Sequence, residues 1–362
     1  MREIQYLTLE QLMEENTRFR QTFLLGNAQD LTAMTGCTAI IAPAGAVCGV
    51  DVRGGSPGTR DTDALNPLCN RQTVHGILLS GGSAFGLDAV GGLMKLLEEK
   101  GIGRDVGVTV VPNVCSAVLF DLKCGDFRIR PDASMGKAAG NAAFLHQPFL
   151  SGNYGAGTGA TVGKRNGAEN AMKGGLGSAV CRCGRLYAAA IFAVNCVGDV
   201  IEHGRILAGA RKAGSMDFAG SEQLILQSAE AEKDLFSIRS AADRESEGEG
   251  NTVIGVILTN ADLNKAQSTR LASQGHNAIA RTVYPAHSIY DGDTVFAMAS
   301  GEVSASQDAV GILAAHAAEE AILDAVRSAQ TWGPYLSAAD RMAAYSTKAP
   351  HSSCRRTCFS QP

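Results

Sequence analysis

The chain has 362 residues, of which 45% are hydrophobic and 19% are charged, a composition typical of a folded globular protein. Its 36 acidic residues outnumber 32 lysines and arginines, so with a net charge of -4 it lacks the basic surface that binding to a phosphate backbone requires. We therefore expect no nucleic-acid partner.

The chain carries no pattern typical of export or membrane insertion. Residues 1–25 are polar and mixed in charge, unlike a secretory signal, and no run approaches the roughly 18 apolar residues of a membrane span. Eight of the ten cysteines are scattered singly, which is typical of small buried side chains in a reducing compartment. Cys181 and Cys183 have no second ligand pair nearby, so we predict no metal site. The expected location is the cytoplasm.

Strands, glycine-rich turns and helices follow one another along the chain. We predict strands at 74–79, 108–111, 117–122, 185–197 and 252–258, and helices at 84–100, 221–235, 264–282 and 307–328. Because several strands are consecutive, the pattern indicates an α/β or α+β fold rather than a simple doubly wound sheet. Periodicity is lost from Thr331, and residues 346–362 are predicted to form a disordered tail.

Three glycine-rich segments resemble known motifs but lack the spacing that their chemistry needs. Residues 155–160 match a loose dinucleotide-binding pattern, but no helix is predicted to follow them. Residues 163–164 end like a phosphate loop without its first glycine or its final Ser or Thr. Residues 81–85 lack the last glycine of a nucleophile elbow, and Ser83 remains only an alternative nucleophile. We predict no cofactor.

The junction between Asn251 and Thr252 is the strongest local signal. An acidic, polar segment, SAADRESEGEG at 240–250, is typical of an exposed loop, and it is followed directly by an apolar strand that begins with Thr252. Attack by the Thr252 hydroxyl on the Asn251 carbonyl would cut the chain and free an α-amine. With a pKa of roughly 7.7 to 8.0, that amine can act as base for its own hydroxyl. The alternative is an ordinary β-branched residue opening a strand.

A second signal is the pair of carboxylates Asp291 and Asp293, which flank a glycine in one tight turn. Such a pair can hold and polarise a threonine hydroxyl and its amine. The alternative is an Asp-Gly turn whose side chains bond their own backbone. None of the seven histidines has a context that marks it as a catalytic partner.

Matching stretches for one known family run in order from Thr35 to Arg327. They are TGCTAIIAP from Thr35, GAVCGVDVRGGSPGTRDTDALNP from Gly45, LSGGSAFGLDA from Leu79, GAGTGATVGK from Gly155, KGGLGSA from Lys173, VNCVGD from Val194, GNTVIGVILTNADLNKAQ from Gly250 and DGDTVFA from Asp291. Through these stretches the sequence resembles the family that includes the L-aminopeptidase/D-esterases, the β-aminopeptidases and the nylon-oligomer hydrolase.

The resemblance implies an α+β fold, an αββα sandwich similar to N-terminal nucleophile hydrolases with different connectivity. It implies a single catalytic domain, 1–345, cut into chains 1–251 and 252–362 that stay together in a homo-oligomer, by analogy a tetramer.

By the same resemblance Thr252 is the nucleophile, supported by Asp291 and Asp293. Lys173 would tune the amine of Thr252, and Asn195 would donate to the oxyanion.

Many family members have Ser as nucleophile, with Ser and Glu at the positions of Asp291 and Asp293. The Asn-Thr junction and the Asp-Gly-Asp turn more closely resemble the branch that cleaves linear 6-aminohexanoate amides. The runner-up is an aminopeptidase that releases α- or β-amino acids from short peptides, and the non-enzyme alternative is an uncleaved scaffold or binding protein. Lys137 stands where members often have Tyr, so a role for that Tyr does not transfer.

Overall fold

The computed structural model describes residues 3–227 and 251–348. The helices are α1 (Leu9–Glu15), α2 (Thr17–Thr22), α3 (Ala89–Glu99), α4 (Ala133–Phe144), α5 (Ser221–Gln227), α6 (Lys265–Thr282), α7 (Gln307–Arg327) and α8 (Ala338–Lys348). The strands are β1 (Gln5–Leu7), β2 (Leu24–Asp30), β3 (Thr35–Val52), β4 (Thr59–Arg60), β5 (Thr73–Ser80), β6 (Arg104–Asp105), β7 (Val110–Val111), β8 (Val114–Val118), β9 (Thr161–Val162), β10 (Met172–Lys173), β11 (Gly175–Cys183), β12 (Leu186–Asn195), β13 (Asp199–Glu202), β14 (Arg205–Ala208), β15 (Thr252–Ala261), β16 (Val283–Tyr284) and β17 (Thr294–Val303).

The long strand β3 connects two layers of sheet. Its first part pairs with β2 and β5, its last part pairs with β17, and its register shifts between Ile41 and Ala46. The hydrogen-bonded order is β1-β11-β12-β15-β17-β3-β5-β8-β4, with β2 attached to β3. Strands β15 and β17 are parallel to each other, as are β5 and β8, whereas β12 is antiparallel to β15.

Three hydrophobic clusters show how the layers stack. Ile77 and Leu79 of β5 share the central cluster with Ile254, Val256 and Leu258 of β15, so the two halves of the sheet face each other. Side chains from α6 and α7 cover the outer face of β12, β15 and β17, and those from α3 and α4 cover β2, β3 and β5. The predicted αββα sandwich is confirmed. None of the helices within the described residues is both long and apolar enough to cross a bilayer.

Local sequence explains where several elements begin. Asn264 caps α6, accepting the N–H of Gln267 at 2.9 Å, while the Gln267 side chain accepts the Asn264 N–H in return. In β15 the residues alternate, so Val253 and Ile257 face the helices while Ile254 and Val256 face the central core. Strand β15 is therefore buried on both sides, as its apolar sequence predicts.

Several predicted bounds are wrong. Strand 117–122 is instead β8, Val114–Val118, because the chain turns to place Asp121 against the N–H of Gly82 and the hydroxyl of Thr35, each at 2.7 Å. Strand 108–111 reduces to β7, and the helix predicted at 84–100 starts as a 3-10 turn and becomes α3 at Ala89.

Helix α8 extends to Lys348, three residues into the segment predicted to be a disordered tail. This helix packs through Ala338, which is buried in the hydrophobic core, and through Arg341, whose guanidinium lies 3.6 Å from the Phe218 ring centroid. Residues 228–235 of the predicted helix, the acidic segment 240–250 and residues 349–362 lie outside the described residues.

Helix α7 contacts β11 most closely at Gly177. A Cβ added at Gly177 would lie 2.0 Å from the carbonyl oxygen of Ala321 and 2.3 Å from the nitrogen of Ala325, both backbone atoms that cannot rotate away. Helix and strand would have to separate.

We expect Gly177→Ala to lower the free energy of unfolding by at least about 1–3 kcal/mol, because it overpacks this contact. Gly91→Ala is the matched control, because a Cβ there meets nothing within 4 Å on the exposed side of α3. It should stabilise the protein by roughly 0.5–1 kcal/mol through helix propensity. Urea unfolding measures both, and equal midpoints for the two variants would contradict this account of the packing.

Candidate active site

The junction between Asn251 and Thr252 lies at one edge of the sandwich, where β15 begins. Thr252 pairs with Asn195, the last residue of β12, and Asn251 forms a parallel bridge with Asp291, just ahead of β17. Asn251 and Thr252 are 1% and 4% exposed, so the peptide bond between them is almost enclosed. The structure thus brings four of the predicted site residues to one place.

The carbonyl oxygen of Asn251 accepts two hydrogen bonds. The N–H of Gly292 donates to it at 2.9 Å, and the Thr252 hydroxyl donates to the same oxygen. Gly292 lies so near that a Cβ on it would be 2.8 Å from Thr252 Oγ1. The hydroxyl is therefore in contact with the carbonyl it would attack, and a backbone donor is already aimed at the oxygen that would become negative.

Asp291 holds this turn together through both its side chain and its backbone. Its carboxylate accepts N–H groups of Ser288 at 2.8 Å and Val197 at 3.4 Å, and its carbonyl accepts the N–H of Ser56 at 2.8 Å. Burial, and then the nearby charge of Asp293, raises the pKa of Asp291 to about 6.

Asp293 is buried and uses both carboxylate oxygens. Oδ1 accepts the N–H of Val253 at 2.6 Å, and Oδ2 accepts from His287, at 2.7 Å from Nδ1 and 3.3 Å from the backbone N–H. His287 was missed by the sequence analysis, and its position six residues ahead of Asp293 is the signal that could have found it. No group of three or more possible metal-ligating acids, histidines or cysteines occurs within residues 3–227 and 251–348.

The amide of Asn195 is oriented by a lysine that the sequence analysis considered only as part of a failed phosphate loop. Lys164 Nζ donates to Asn195 Oδ1 at 2.7 Å and to its carbonyl at 2.9 Å, and the N–H of Thr161 donates to Oδ1 at 3.0 Å. Asn195 Nδ2 donates to the carbonyl of Phe120 at 2.9 Å. Burial lowers the pKa of Lys164 to about 7, opposed by nearby acidic groups including Asp291.

Lys173 is fully buried, and its ammonium is held by backbone carbonyls. Nζ lies 2.7 Å from the oxygen of Ala160, 3.1 Å from that of Gly174 and 3.4 Å from that of Gly157. Burial lowers its pKa to about 8. Because these described hydrogen bonds all go to carbonyls, any influence of Lys173 on Thr252 acts through space. Lys137 instead forms an ion pair with Glu99 at 2.8 Å, between α3 and α4.

A cavity of about 290 Å³ opens onto the junction. Its lining consists of Ser56, Pro57, Gly58, Ser83, Ala84, Val118, Leu119, Phe120, Asn251, Thr252 and Tyr290. None of these side chains is charged at neutral pH. Ser83 has a positive φ of 54°, a conformation that non-glycine residues adopt at a cost and that is enriched in functional sites.

Comparisons with known proteins identify the family of the chain. The model of peptidase family S58 matches residues 18–335. An uncharacterized aminopeptidase of Mycobacterium tuberculosis (strain ATCC 25618 / H37Rv) is 38% identical over 297 residues, covering 81% of each chain. A 6-aminohexanoate-oligomer endohydrolase of Paenarthrobacter ureafaciens is 29% identical over 318 residues, covering 83% of each.

The fold also has a solved counterpart. The L-aminopeptidase D-Ala-esterase/amidase from Ochrobactrum anthropi, described as a variant of the Ntn hydrolase fold, superposes with a TM-score of 0.60 at 16% identity, over 89% of this chain and 91% of that one. The resemblance inferred from the sequence motifs is confirmed. The chain belongs to peptidase family S58 and is a hydrolase of amide bonds.

Proposed function

We propose that the chain cuts itself between Asn251 and Thr252, and that the freed Thr252 is then the nucleophile of an N-terminal nucleophile amidohydrolase. The observation that carries this proposal is the contact of the Thr252 hydroxyl with the Asn251 carbonyl, to which Gly292 also donates. The catalytic domain, 1–345, would then consist of a large chain, 1–251, and the first part of a small chain, 252–362.

Self-cleavage needs an attacking oxygen, a stabilised oxyanion and a leaving amine. The Thr252 oxygen adds to the carbonyl carbon of Asn251, and the N–H of Gly292 stabilises the negative oxygen that forms. The C–N bond then breaks, the Thr252 nitrogen takes up a proton, and Asn251 is left as an ester on the threonine oxygen. Water hydrolyses this ester, releasing the Asn251 carboxylate and restoring the hydroxyl beside a free α-amine.

In turnover the freed amine acts as base for the same hydroxyl, which attacks the substrate carbonyl; the substrate C–N bond breaks, its nitrogen takes up the proton and leaves as the amine product, and water hydrolyses the acyl-enzyme. Asp291 and Asp293 hold the turn and strand around Thr252, and their charges favour the ammonium form of its amine when that form is produced. Asn195 Nδ2 donates to the Phe120 carbonyl in the uncut chain, and we propose that in turnover the same amide nitrogen donates to the substrate oxyanion while Lys164 orients the amide. Lys173 acts on the Thr252 amine electrostatically, through space and without a direct hydrogen bond.

The two fragments are proposed to stay together because of the position of β15. This first strand of the small chain lies between β12 of the large chain and β17, and it is buried over its whole length. Removing it would expose the central core and leave ladder hydrogen bonds unpaired. Assembly of the cleaved protein into tetramers stays a prediction from the family resemblance.

The lining of the cavity favours linear amides over aminopeptidase substrates. An aminopeptidase substrate carries an ammonium group beside the scissile carbonyl, and its burial requires a paired charge. The cavity lining carries only neutral side chains, and the oxygens of Asp291 and Asp293 already accept N–H groups. A neutral methylene chain such as that of a 6-aminohexanoate oligomer fits this lining better.

We expect linear 6-aminohexanoate oligomers to be cleaved with a higher kcat/KM than β-dipeptides or α-amino acid amides, because no described acidic side chain lines the cavity to receive an ammonium group. Amine release from each substrate at equal enzyme concentration measures this. A preference for the substrates with an ammonium beside the scissile bond would instead favour the aminopeptidase.

We expect the purified protein to run as two fragments, with the smaller beginning Thr-Val-Ile-Gly. Thr252→Ala lacks the attacking hydroxyl, so it should remain one uncut chain of 362 residues without amidase activity. Thr252→Ser keeps a hydroxyl and should still be cut. Intact mass and N-terminal sequencing measure the products. An active but uncut wild-type chain would contradict the proposed mechanism and favour Ser83 as the nucleophile. An uncut and inactive wild-type chain would favour a binding protein.

Gly292→Ala tests the geometry at the scissile bond. The new Cβ would lie 2.8 Å from both Thr252 Oγ1 and the carbonyl oxygen of Ser56, so hydroxyl and donor must separate. We expect self-cleavage to slow by about 100-fold, as misplacement of reacting groups by 1 Å can produce. The control, Gly91→Ala, should be cut at the wild-type rate. Wild-type cleavage in a folded Gly292→Ala protein would mean that this contact does not limit the reaction.

A further inference from the structure

His287 is the one described histidine bonded to a proposed active-site carboxylate, and nothing above gives it a function. Its ring contacts Asp293, whose two oxygens bond different partners: Oδ2 accepts from His287 and Oδ1 accepts the N–H of Val253. The side chains of His287 and Asp293 are 20% and 2% exposed, so little water competes for these bonds. The carboxylate therefore connects His287 to the residue that follows Thr252.

The backbone and a neighbouring ring hold His287 in this position. Its φ of 56° is in the left-handed region, which non-glycine residues seldom adopt. The edge of its ring lies against His276, with ring centroids 4.9 Å apart at an interplanar angle of 63°. His276 is itself fully buried, with Nε2 3.0 Å from the carbonyl of Asp51.

The hydrogen-bond partners also define both tautomers. Burial lowers the pKa of His276 to about 4, so it is neutral at pH 7, and its Nε2 carries the proton because the Asp51 carbonyl can only accept. In His287 the proton is on Nδ1, because the facing oxygen belongs to a carboxylate. His276 is thus a neutral ring that packs against His287, and His287 donates its Nδ1–H to Asp293.

We propose that His287 is a positioning residue of the active site, whose Nδ1–H turns the Asp293 carboxylate so that Oδ1 holds the Val253 N–H and fixes the peptide that follows Thr252. This inference rests on the proposed role of Thr252. Without the ring donor, Oδ2 keeps only the longer bond from the His287 backbone N–H, at 3.3 Å, so the carboxylate is free to turn about its Cβ–Cγ bond and weaken the 2.6 Å bond to Val253. The Thr252 hydroxyl then loses its defined direction of attack.

The first test separates the donor from the rest of the imidazole ring. In His287→Asn the amide N–H occupies the place of Nδ1–H, and asparagine tolerates a positive φ. In His287→Gln the amide lies one bond further out. We expect His287→Asn to keep most of the wild-type kcat, and His287→Gln to lose on the order of 10- to 100-fold in kcat with KM little changed, since only positioning is lost.

His203 provides the matched control, because it is exposed and also has a left-handed backbone, with a φ of 49°. His203→Asn and His203→Gln should both have the wild-type kcat. This control measures any cost of placing asparagine or glutamine at a positive φ. Rates are divided by the fraction of cleaved chain, so slow maturation is not counted as slow turnover. Equal losses in His287→Asn and His287→Gln would overturn the proposal.

The second test asks whether His287 acts through Asp293. In the Asp293→Asn background, His287→Gln should add little further loss, because the carboxylate it orients is gone. An equal fold-loss in both backgrounds would overturn the proposal. If Asp293→Asn has no measurable activity, 15N spectra of the imidazoles replace kinetics. The His287 signal is identified as the one that is absent from the spectrum of His287→Asn. In the wild type this signal must show an Nδ1–H tautomer, and it must change in Asp293→Asn.

An Nε2–H tautomer for that signal would equally overturn the proposal. Failure of the proposed function is a different result: it would appear as amidase activity in Thr252→Ala. The imidazole spectra need neither cleavage nor activity, so they report on the His287–Asp293 pair even in that case.

Discussion

The parallel pairing of β15 with β17 places the starts of these two strands at the same edge of the sheet. The turn from Asp291 to Asp293, which immediately precedes β17, must therefore lie beside the first residue of β15. Because β12 is antiparallel to β15, its last residue, Asn195, reaches the same edge from the other side. Strand direction alone thus brings the nucleophile candidate, the carboxylate turn and the amide together, although 57 residues of sequence separate Asn195 from Thr252.

Burial gives this edge its chemical character. In a nearly enclosed site each hydrogen bond is stronger than in water, and an unpaired charge is costly. The protein satisfies the carboxylates of Asp291 and Asp293 mainly with N–H donors. Burial moves the pKa of Asp291 up to about 6 and that of Lys164 down to about 7, so both groups titrate near neutral pH, a property enriched in functional sites.

The position of β15 in the middle of the sandwich also bears on maturation. A chain cut at an exposed loop tip changes little, whereas a cut at the first residue of a central strand leaves a new terminus inside the fold. Strand β15 pairs with β12 over residues 252–259 and with β17 from Ile254 onward, so the proposed cut would create an amine in a fixed environment without loosening the core. Proteins similar to this chain are named as aminopeptidases and as 6-aminohexanoate-oligomer endohydrolases, so one fold accommodates different amide substrates.

Structural features that depend on residues close together in the chain could be predicted from the sequence. The apolar run after Asn251 predicted β15, the Asp-Gly-Asp spacing predicted a tight turn, and the ordered motifs predicted the family and the sandwich. The roles of Thr252, Asp291, Asp293, Lys173 and Asn195 remain proposals. Helix α8 was missed, because only Ala338 of its residues joins the described hydrophobic core and Arg341 makes its ring contact with Phe218.

The contacts among distant residues were decided by tertiary structure. Lys164 bonds Asn195 because the segment after the 155–160 turn folds against the end of β12. Lys173 is surrounded by backbone carbonyls, an arrangement that no sequence spacing predicts. His287 bonds Asp293 from a left-handed backbone conformation. The sequence shows which residues can ionise or donate a hydrogen bond. Strand direction, backbone dihedrals and burial determine which of those residues come into contact and what pKa each group has.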